Sequence, residues 1–425
     1  MAEHTDLSLR QSVIYEIYIR NHTSEGTFRA IEPDLDRIRA LGVDIVWFMP
    51  IHPIGVENKK GSLGCPYANR DYRTVNPEYG TMEDFKHLVN EIHARGMKCI
   101  IDVVYNHTSP DSTLVAEHPE FFYQKPSGGR GNKVGEWTDV VDLDYNVPAL
   151  WQYQIASLCQ WAAIVDGFRC DVASNVPVAF WKAAREAVER VHPGTIWLGE
   201  SVYLEHVRHF HESGFYCATD SELYEAFDIL YSYDIRRVFD DCFAGSVPVS
   251  RLMDAVNFQN YVYPKNHIKL RCLENHDQPR AAKLVPDDAH LRVWTALCYF
   301  MKGTTLIYAG QEACNTRTPS LFDVDKVDWN TGRDLTPLMQ KLYAIRHKLP
   351  TDAAFWLETD DEAGIVTATY TAPDKRCAGV FPVAGKPGTV NIPLADGVYS
   401  DALTGSSVRV EGGRLAVGTE AVIIL

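Results

Sequence analysis

Four short stretches of this chain end on side chains able to move a proton or attack a carbon. They are Asp102-Val-Val-Tyr-Asn-His107, Gly167-Phe-Arg169-Cys-Asp171, Trp197-Leu-Gly-Glu200 and Leu273-Glu-Asn-His276-Asp277. Each follows or closes an apolar run with the look of a buried strand. Arg169 and Asp171 are two apart and so share one face of such a strand. Taken singly, each piece has a bland reading: an Asp at a strand end is a cap, His107 is a satisfied loop histidine, Arg169 and Asp171 are a simple ion pair. Their recurrence argues otherwise, because charged groups are seldom buried without a partner.

Carboxylates converging without cysteine or clustered histidine do not make a zinc site. Magnesium-assisted phosphoryl transfer would need a Gly-rich phosphate loop and its lysine, and neither accompanies them. The set suits cleavage of a glycosidic bond, in which one carboxylate attacks the anomeric carbon and a protonated carboxyl hands its proton to the leaving oxygen. Aromatic residues make up 11% of the chain. Tyr67, Tyr72, Tyr105 and Trp197 lie near these motifs and would suit a site that stacks sugar rings.

The elements that must position these groups are short β-rich runs alternating with amphipathic helices, the pattern of βα units around a parallel sheet. Strands are expected at 13–19, 43–49, 99–105, 167–172, 195–198, 268–273 and 304–308, with an eighth in the poorly patterned stretch 217–233. Thr81, Glu83 and Asp84 resemble a capping box, and Phe85, Leu88, Val89 and Ile92 then repeat at helical spacing up to Gly96. Eight strands imply a (β/α)8 TIM barrel, in which strand C-termini share one active-site mouth. The stretch 107–140, rich in Pro, Gly and polar residues, is too long for an ordinary loop. After about Thr351 the helical period gives way to alternating runs. The expected organisation is a barrel over 1–106 and 141–350, a small inserted subdomain over 107–140, and a C-terminal antiparallel β-sandwich over 351–425.

Composition narrows the partners. With 41 Lys and Arg against 56 Asp and Glu, the net charge is −15 in 425 residues, which disfavours nucleic acid and anionic membrane surfaces. No run approaches 18 apolar residues and the N-terminus has no leader-like pattern. Ten cysteines are scattered from Cys65 to Cys377 without a C-x-x-C pair, which points to buried thiols in a reduced, cytoplasmic protein.

The segments DVVYNH, GFRCDV, LGES and ENHD, in this order on these strands, resemble the four signature regions of glycoside hydrolase family 13, the α-amylase family. Gly64-Cys-Pro-Tyr67-Ala-Asn-Arg-Asp71-Tyr72 and Gly303-Thr-Thr-Leu-Ile-Tyr308-Ala-Gly310-Gln311-Glu312 are similar too. The resemblance implies Asp171 as the nucleophile, oriented by Arg169, and Glu200 as general acid and then base. It implies Asp277 as the residue that stabilises the distorted ring, with His107 and His276 as hydrogen-bonding partners, Tyr67 stacking on the sugar, and Asp102 supporting from behind. The Asp171 and Glu200 carboxyls should then lie about 5–5.5 Å apart, with retention of anomeric configuration.

Many α-amylases carry a Lys-His pair after the nucleophile, the histidine helping to hold a structural calcium. Here those places read Ser174 and Asn175. Asn106 matches a common calcium ligand whose usual partner is missing, so no metal or other cofactor is expected. Val141-Asp142-Leu143-Asp144 resembles the amylase-like form of the fifth family signature, which favours α-1,4 linkages. The expected substrate is an α-1,4-glucan or maltooligosaccharide. The same carboxylates leave open an α-glucosidase, a transglycosylase, a phosphorylase or an isomerase, because acceptor choice rests on loop geometry. A catalytically silent binding or transporter-partner barrel would lose carboxylates that this chain keeps. Chain-length preference, endo or exo action and oligomeric state depend on loop shapes rather than on these motifs.

Overall fold

Eight short apolar runs close into a parallel barrel in the computed structural model, which describes residues 4–135 and 137–425. The strands are β1 (Val13–Ile17), β2 (Ile45–Phe48), β3 (Lys98–Val103), β4 (Gly167–Cys170), β5 (Ile196–Gly199), β6 (Ile229–Tyr231), β7 (Lys269–Arg271) and β8 (Thr304–Tyr308). Each pairs with its sequence neighbours and β8 returns to β1. Strict alternation divides the side chains. Ile14, Ile45, Ile100, Ile196, Ile229, Leu270 and Leu306 fill the barrel interior. Val13, Val46, Ile101, Phe168 and Trp197 face the surrounding helices.

Those helices include α1 (Leu35–Gly42), α2 (Met82–Ala94), α3 (Pro148–Ala162), α4 (Val178–Glu189), α5 (Leu204–Glu212), α6 (Arg236–Phe243), α7 (Val249–Val262), α8 (Asp288–Phe300) and α9 (Thr336–Arg346). The expected capping box on α2 forms. Thr81 Oγ1 accepts from the Asp84 N–H at 3.1 Å, and Asp84 Oδ2 accepts from the Thr81 N–H at 2.9 Å. Phe85, Leu88, Val89 and Ile92 are the buried face of this helix.

Two differences from the sequence expectation concern strand length. The eighth strand falls at Ile229–Tyr231, inside the stretch 217–233, but is only three residues long and follows a loop and a short helix, so no alternation could accumulate. Strands expected to reach Ile19, Tyr105, Val172 and Leu273 leave the ladder two residues early, at Ile17, Val103, Cys170 and Arg271. The apolar pattern runs on, but the backbone has already turned to build the rim of the barrel.

Residues 107–140 form an excursion from the end of β3. Its base is a two-residue antiparallel ladder joining His107–Thr108 to Val141–Asp142. The C-terminal strands are β9 (Ala354–Asp360), β10 (Ile365–Thr371), β11 (Arg376–Phe381), β12 (Gly388–Asn391), β13 (Gly397–Ser400), β14 (Ser407–Glu411), β15 (Arg414–Val417) and β16 (Val422–Ile424). They make two antiparallel sheets, β9-β10-β11-β16 and β12-β15-β14-β13, with Ile365, Val380, Val390, Val410 and Leu415 in a shared core. The first sheet also packs on the barrel, where Phe300 meets Tyr370 and Phe381.

Asn257 on α7 fastens that junction. Its Nδ2 donates to Leu357 O at 2.8 Å and its Oδ1 accepts from Leu357 N–H at 3.0 Å, both buried. Asn257→Ala would leave both backbone groups of Leu357 unpaired inside the protein. Urea unfolding of this variant is expected to show a loss on the order of 2–4 kcal/mol, with the strand ends of the barrel unchanged.

Candidate active site

Single backbone hydrogen bonds just past the strand ends bring two carboxylates together. Asp171 N–H donates to Val103 O and Glu200 N–H to Cys170 O, each at 3.0 Å, so Asp171 stands beside the end of β3 and Glu200 beside the end of β4. Asp102 and Arg169 are direct cross-strand neighbours on the inward face. Parity therefore gathers Asp102, Arg169 and Asp171 at one mouth.

Arg169 is the centre of the cluster and is fully buried. Its Nη1 donates to Asp171 Oδ1 at 2.8 Å and to the two Asp102 oxygens at 3.0 and 3.1 Å. Its Nη2 lies 2.9 Å from Glu200 Oε2, an ionic contact without hydrogen-bond alignment. The guanidinium carbon sits 5.3 Å from the ring centres of Trp47 and of Tyr231, and 5.6 Å from that of Tyr67.

Glu200 receives a second fixed contact at some backbone cost. Val172, the residue after Asp171, adopts φ 35° and ψ 49°, a left-handed conformation that a β-branched side chain resists. That turn aims the Val172 N–H at Glu200 Oε2, 2.7 Å away. Burial pushes the Glu200 carboxyl up to about 7, with the charges of Asp171 and Asp277 adding to it and Arg169 opposing. Asp171 is pushed up to about 6 by burial against the pull of Arg169, and Asp102 likewise to about 6. Several carboxylates around one cation resist full ionisation, and Glu200 is the one left most ready to hold a proton.

Asp277 is the open member, with 41% of its side chain exposed. Partial burial pushes its carboxyl up, but His276, with Nε2 3.1 Å from Asp277 Oδ2, more than offsets this and holds it below the usual range. The same Nε2 lies 2.8 Å from the Tyr67 hydroxyl, which donates to Asp102 Oδ2 at 3.0 Å. Tyr67 stacks its ring on His276 at 5.3 Å and 17°. His107 lies further off, its Nε2 3.9 Å from Asp171 Oδ2, and burial lowers its pKa and keeps it neutral.

All eight site residues expected from sequence meet at this mouth. Glu16 on β1 was not anticipated. It is fully buried and hydrogen-bonds His276 Nδ1. Burial opposes charge on His276, yet Asp277 and Glu16 on its two nitrogens raise its pKa well above the ordinary value, which keeps it an imidazolium. The available signal was a lone carboxylate inside the apolar run Val-Ile-Tyr-Glu-Ile, at the inward parity of Ile14. Four further residues frame the site. Tyr203 stacks on Tyr233 at 4.7 Å and accepts from Gln278 at 2.9 Å, and Trp137 meets His107 edge-on at 5.6 Å. Tyr72, Tyr105 and Trp197, expected as sugar-stacking neighbours, are instead buried outside the barrel wall. Tyr105 packs against Trp181 and Trp197 against Phe227, because their strand parity faces the helices.

A structural calcium does not fit the oxygens around Asn106. Calcium asks for six to eight oxygen ligands. Asp142 Oδ2 already accepts from Lys133 N–H at 2.7 Å, and Asp144 Oδ1 accepts from the N–H and Nδ2 of Asn146 at 3.0 and 2.8 Å. Ser174 is buried, and Asn175 Oδ1 engages His206 Nε2 at 3.1 Å. Among the described residues no group of three or more His, Cys, Asp or Glu is placed to hold a metal.

The chain also resembles known proteins. The model of the α-amylase catalytic domain matches residues 13–128 and 135–372, and that of the bacterial α-amylase C-terminal domain matches 357–424. The crystal structure of an α-amylase from Lactobacillus plantarum is 43% identical, with a TM-score of 0.95 over 99% of both chains. That of a noncanonic maltogenic α-amylase from Thermotoga neapolitana is 31% identical, with a TM-score of 0.87 over 98% of this chain and 99% of the other. The α-amylase MalA of Haloarcula japonica is 28% identical over 90% of this chain, which spans 57% of that protein's length.

Glu16→Gln removes the charge that helps hold His276 protonated. Histidine titration by NMR is expected to show the His276 pKa lowered relative to wild type, together with a fall in kcat and an intact fold by circular dichroism.

Proposed function

The chain belongs to the α-amylase family, and from that footing we propose that it is a retaining hydrolase of α-1,4-linked glucans and maltooligosaccharides. Asp171 attacks the anomeric carbon to form a covalent glycosyl-enzyme, and Glu200 protonates the leaving oxygen and then deprotonates the incoming water. Asp277 hydrogen-bonds the sugar hydroxyls of the distorted ring, kept ionised by the His276 imidazolium. Tyr67 offers the ring face away from His276 for stacking, and Asp102 holds Arg169 and the Tyr67 hydroxyl in place. Arg169 orients Asp171, and His107 adds a neutral hydrogen-bonding edge.

The observation that carries this reading is the shared guanidinium. One nitrogen holds Asp171 at 2.8 Å and its neighbour lies 2.9 Å from Glu200. Two carboxylates on adjacent nitrogens of one fork favour the about 5–5.5 Å spacing of a retaining pair over the wider spacing of an inverting one. Their proton affinities differ in the required sense, with Asp171 at about 6 and Glu200 at about 7. A site that releases chains from a neutral polymer also suits a protein of net charge −15.

A cytoplasmic, cofactor-independent enzyme is part of the same proposal. It is supported by the ten cysteines, each a free thiol, a state that a reducing compartment maintains. No helix among the described residues is long and apolar enough to cross a membrane.

Proton NMR of maltoheptaose cleavage is expected to show α-anomers first. Asp171→Asn should lose activity by roughly 10³-fold or more while folding normally, since it removes the nucleophile. First-formed β-anomers, or an active Asp171→Asn variant, would overturn the assignment. Phosphate or a second sugar added to the reaction should leave the product pattern unchanged; new phosphorylated or transferred products would instead indicate a transferase.

The pH dependence follows from the two carboxyls. Below about pH 6 Asp171 gains a proton and ceases to be a nucleophile, and above about pH 7 Glu200 loses the proton it must donate. The profile of kcat/KM against pH is therefore expected to be a narrow bell centred between these values. In Glu200→Gln, assayed with a substrate whose leaving group needs no protonation, the alkaline limb should disappear.

A further inference from the structure

The excursion after β3 is pinned at its base by a partly buried ammonium. Lys133 donates from Nζ to Leu143 O at 2.8 Å, while its own N–H donates to Asp142 Oδ2 at 2.7 Å. The preceding residue, Asn132, donates from Nδ2 to Val140 O at 3.1 Å and faces Asp142 Oδ1 at 3.4 Å. Leu143 N–H in turn donates to Asn106 O at 3.0 Å, and Asp142 is the ladder partner of His107. The lysine therefore touches the strand whose other edge carries Asn106 and His107. Asn106 Oδ1 is buried and left without a hydrogen-bond partner among the described residues.

We propose that the Lys133 ammonium is the resident cation of this junction, supplied by the chain itself rather than by a bound calcium ion. An ammonium donates in three directions and asks for carbonyl and carboxylate oxygens. Leu143 O meets it directly, and the charges of Asp142 and Asp144 favour its charged form. Burial disfavours the charged form and those two carboxylates oppose that effect. The groups that act on the ammonium thus belong to the segment 141–144 that returns the chain to the barrel.

The arrangement has a geometrical consequence for the site. His107 follows Asn106 and pairs with Asp142 in the ladder, and its Nε2 approaches Asp171. Trp137, four residues beyond Lys133, rests against the same imidazole. Lys133 acts through these neighbours, so it is a positioning residue for the His107 side of the mouth. A divalent ion would impose the same order at the cost of dependence on its concentration, whereas a lysine imposes it without any.

The test compares wild-type protein with Lys133→Met, which keeps much of the length and removes the charge. Wild-type protein is dialysed against a chelator, then returned to millimolar calcium chloride, with the midpoint of thermal unfolding and bound calcium by elemental analysis as readouts. The midpoint is expected to stay the same in both conditions with no stoichiometric calcium bound. Lys133→Met is expected to unfold several degrees lower and to be nicked by trypsin several-fold faster at Lys125 or Arg130, which are exposed on the excursion. It should also show a raised KM with a smaller change in kcat. Stoichiometric calcium in the wild-type protein, or a midpoint that rises with calcium, would overturn the proposal. So would a Lys133→Met protein as stable and as trypsin-resistant as the wild type. The wild-type arm decides the matter even if the variant fails to fold.

Discussion

One buried cation organises the mouth of this barrel. Removing a guanidinium from water costs several kcal/mol unless carboxylates repay it, and Arg169 is repaid by Asp102, Asp171 and Glu200. The repayment is excessive by design of numbers, since three potential negative charges meet one positive charge in a desolvated space. Some of that negative charge must be neutralised by protons, and the raised proton affinities of all three carboxyls express that constraint. Acid catalysis near neutrality is thus a consequence of how the core of the mouth balances its charge.

A second balance lies across the site. His276 stands between the buried Glu16 and the half-open Asp277, and its charge lets Asp277 remain ionised beside the other carboxylates. Tyr67 links the two halves, donating to Asp102 and lying against His276 by both its hydroxyl and its ring. Local backbone strain serves the same end. The left-handed Val172 spends conformational energy to point one N–H at Glu200, and such strain persists because the barrel ladder holds both flanks. Farther out, the Lys133 ammonium ties the long excursion back to the segment that carries His107's ladder partner.

The barrel supports this by its parity. Apolar side chains that alternate inward, such as Ile14 and Ile100, fill the interior below, and the next inward positions, Glu16 and Asp102, are carboxylates. Outward residues of the same strands pack into the helical layer whatever their chemistry, which is why Tyr105 and Trp197 belong to the core despite lying within the catalytic motifs. The C-terminal sheets stand apart from the chemistry and join the barrel through Phe300, Tyr370 and the paired amide of Asn257.

The residues of the site and the order of the strands were legible in the chain itself. An apolar run followed by an Asp or Glu is a local signal, and four of them in sequence identify a shared rim because a parallel barrel puts all strand C-termini on one side. The α2 helix was equally legible, as its cap and its spacing are both local. Tertiary structure decided what depended on distant partners. Glu16 meets His276 across 260 positions. The eighth strand is three residues held by its neighbours' ladders. The early departure of four strands from the sheet is invisible in hydropathy, because a residue buried in the rim is as apolar as one in the ladder. Proton affinity was the furthest from sequence, since it depends on how many charges share one desolvated space, and only the closed barrel brings Asp102, Asp171 and Glu200 onto the same guanidinium.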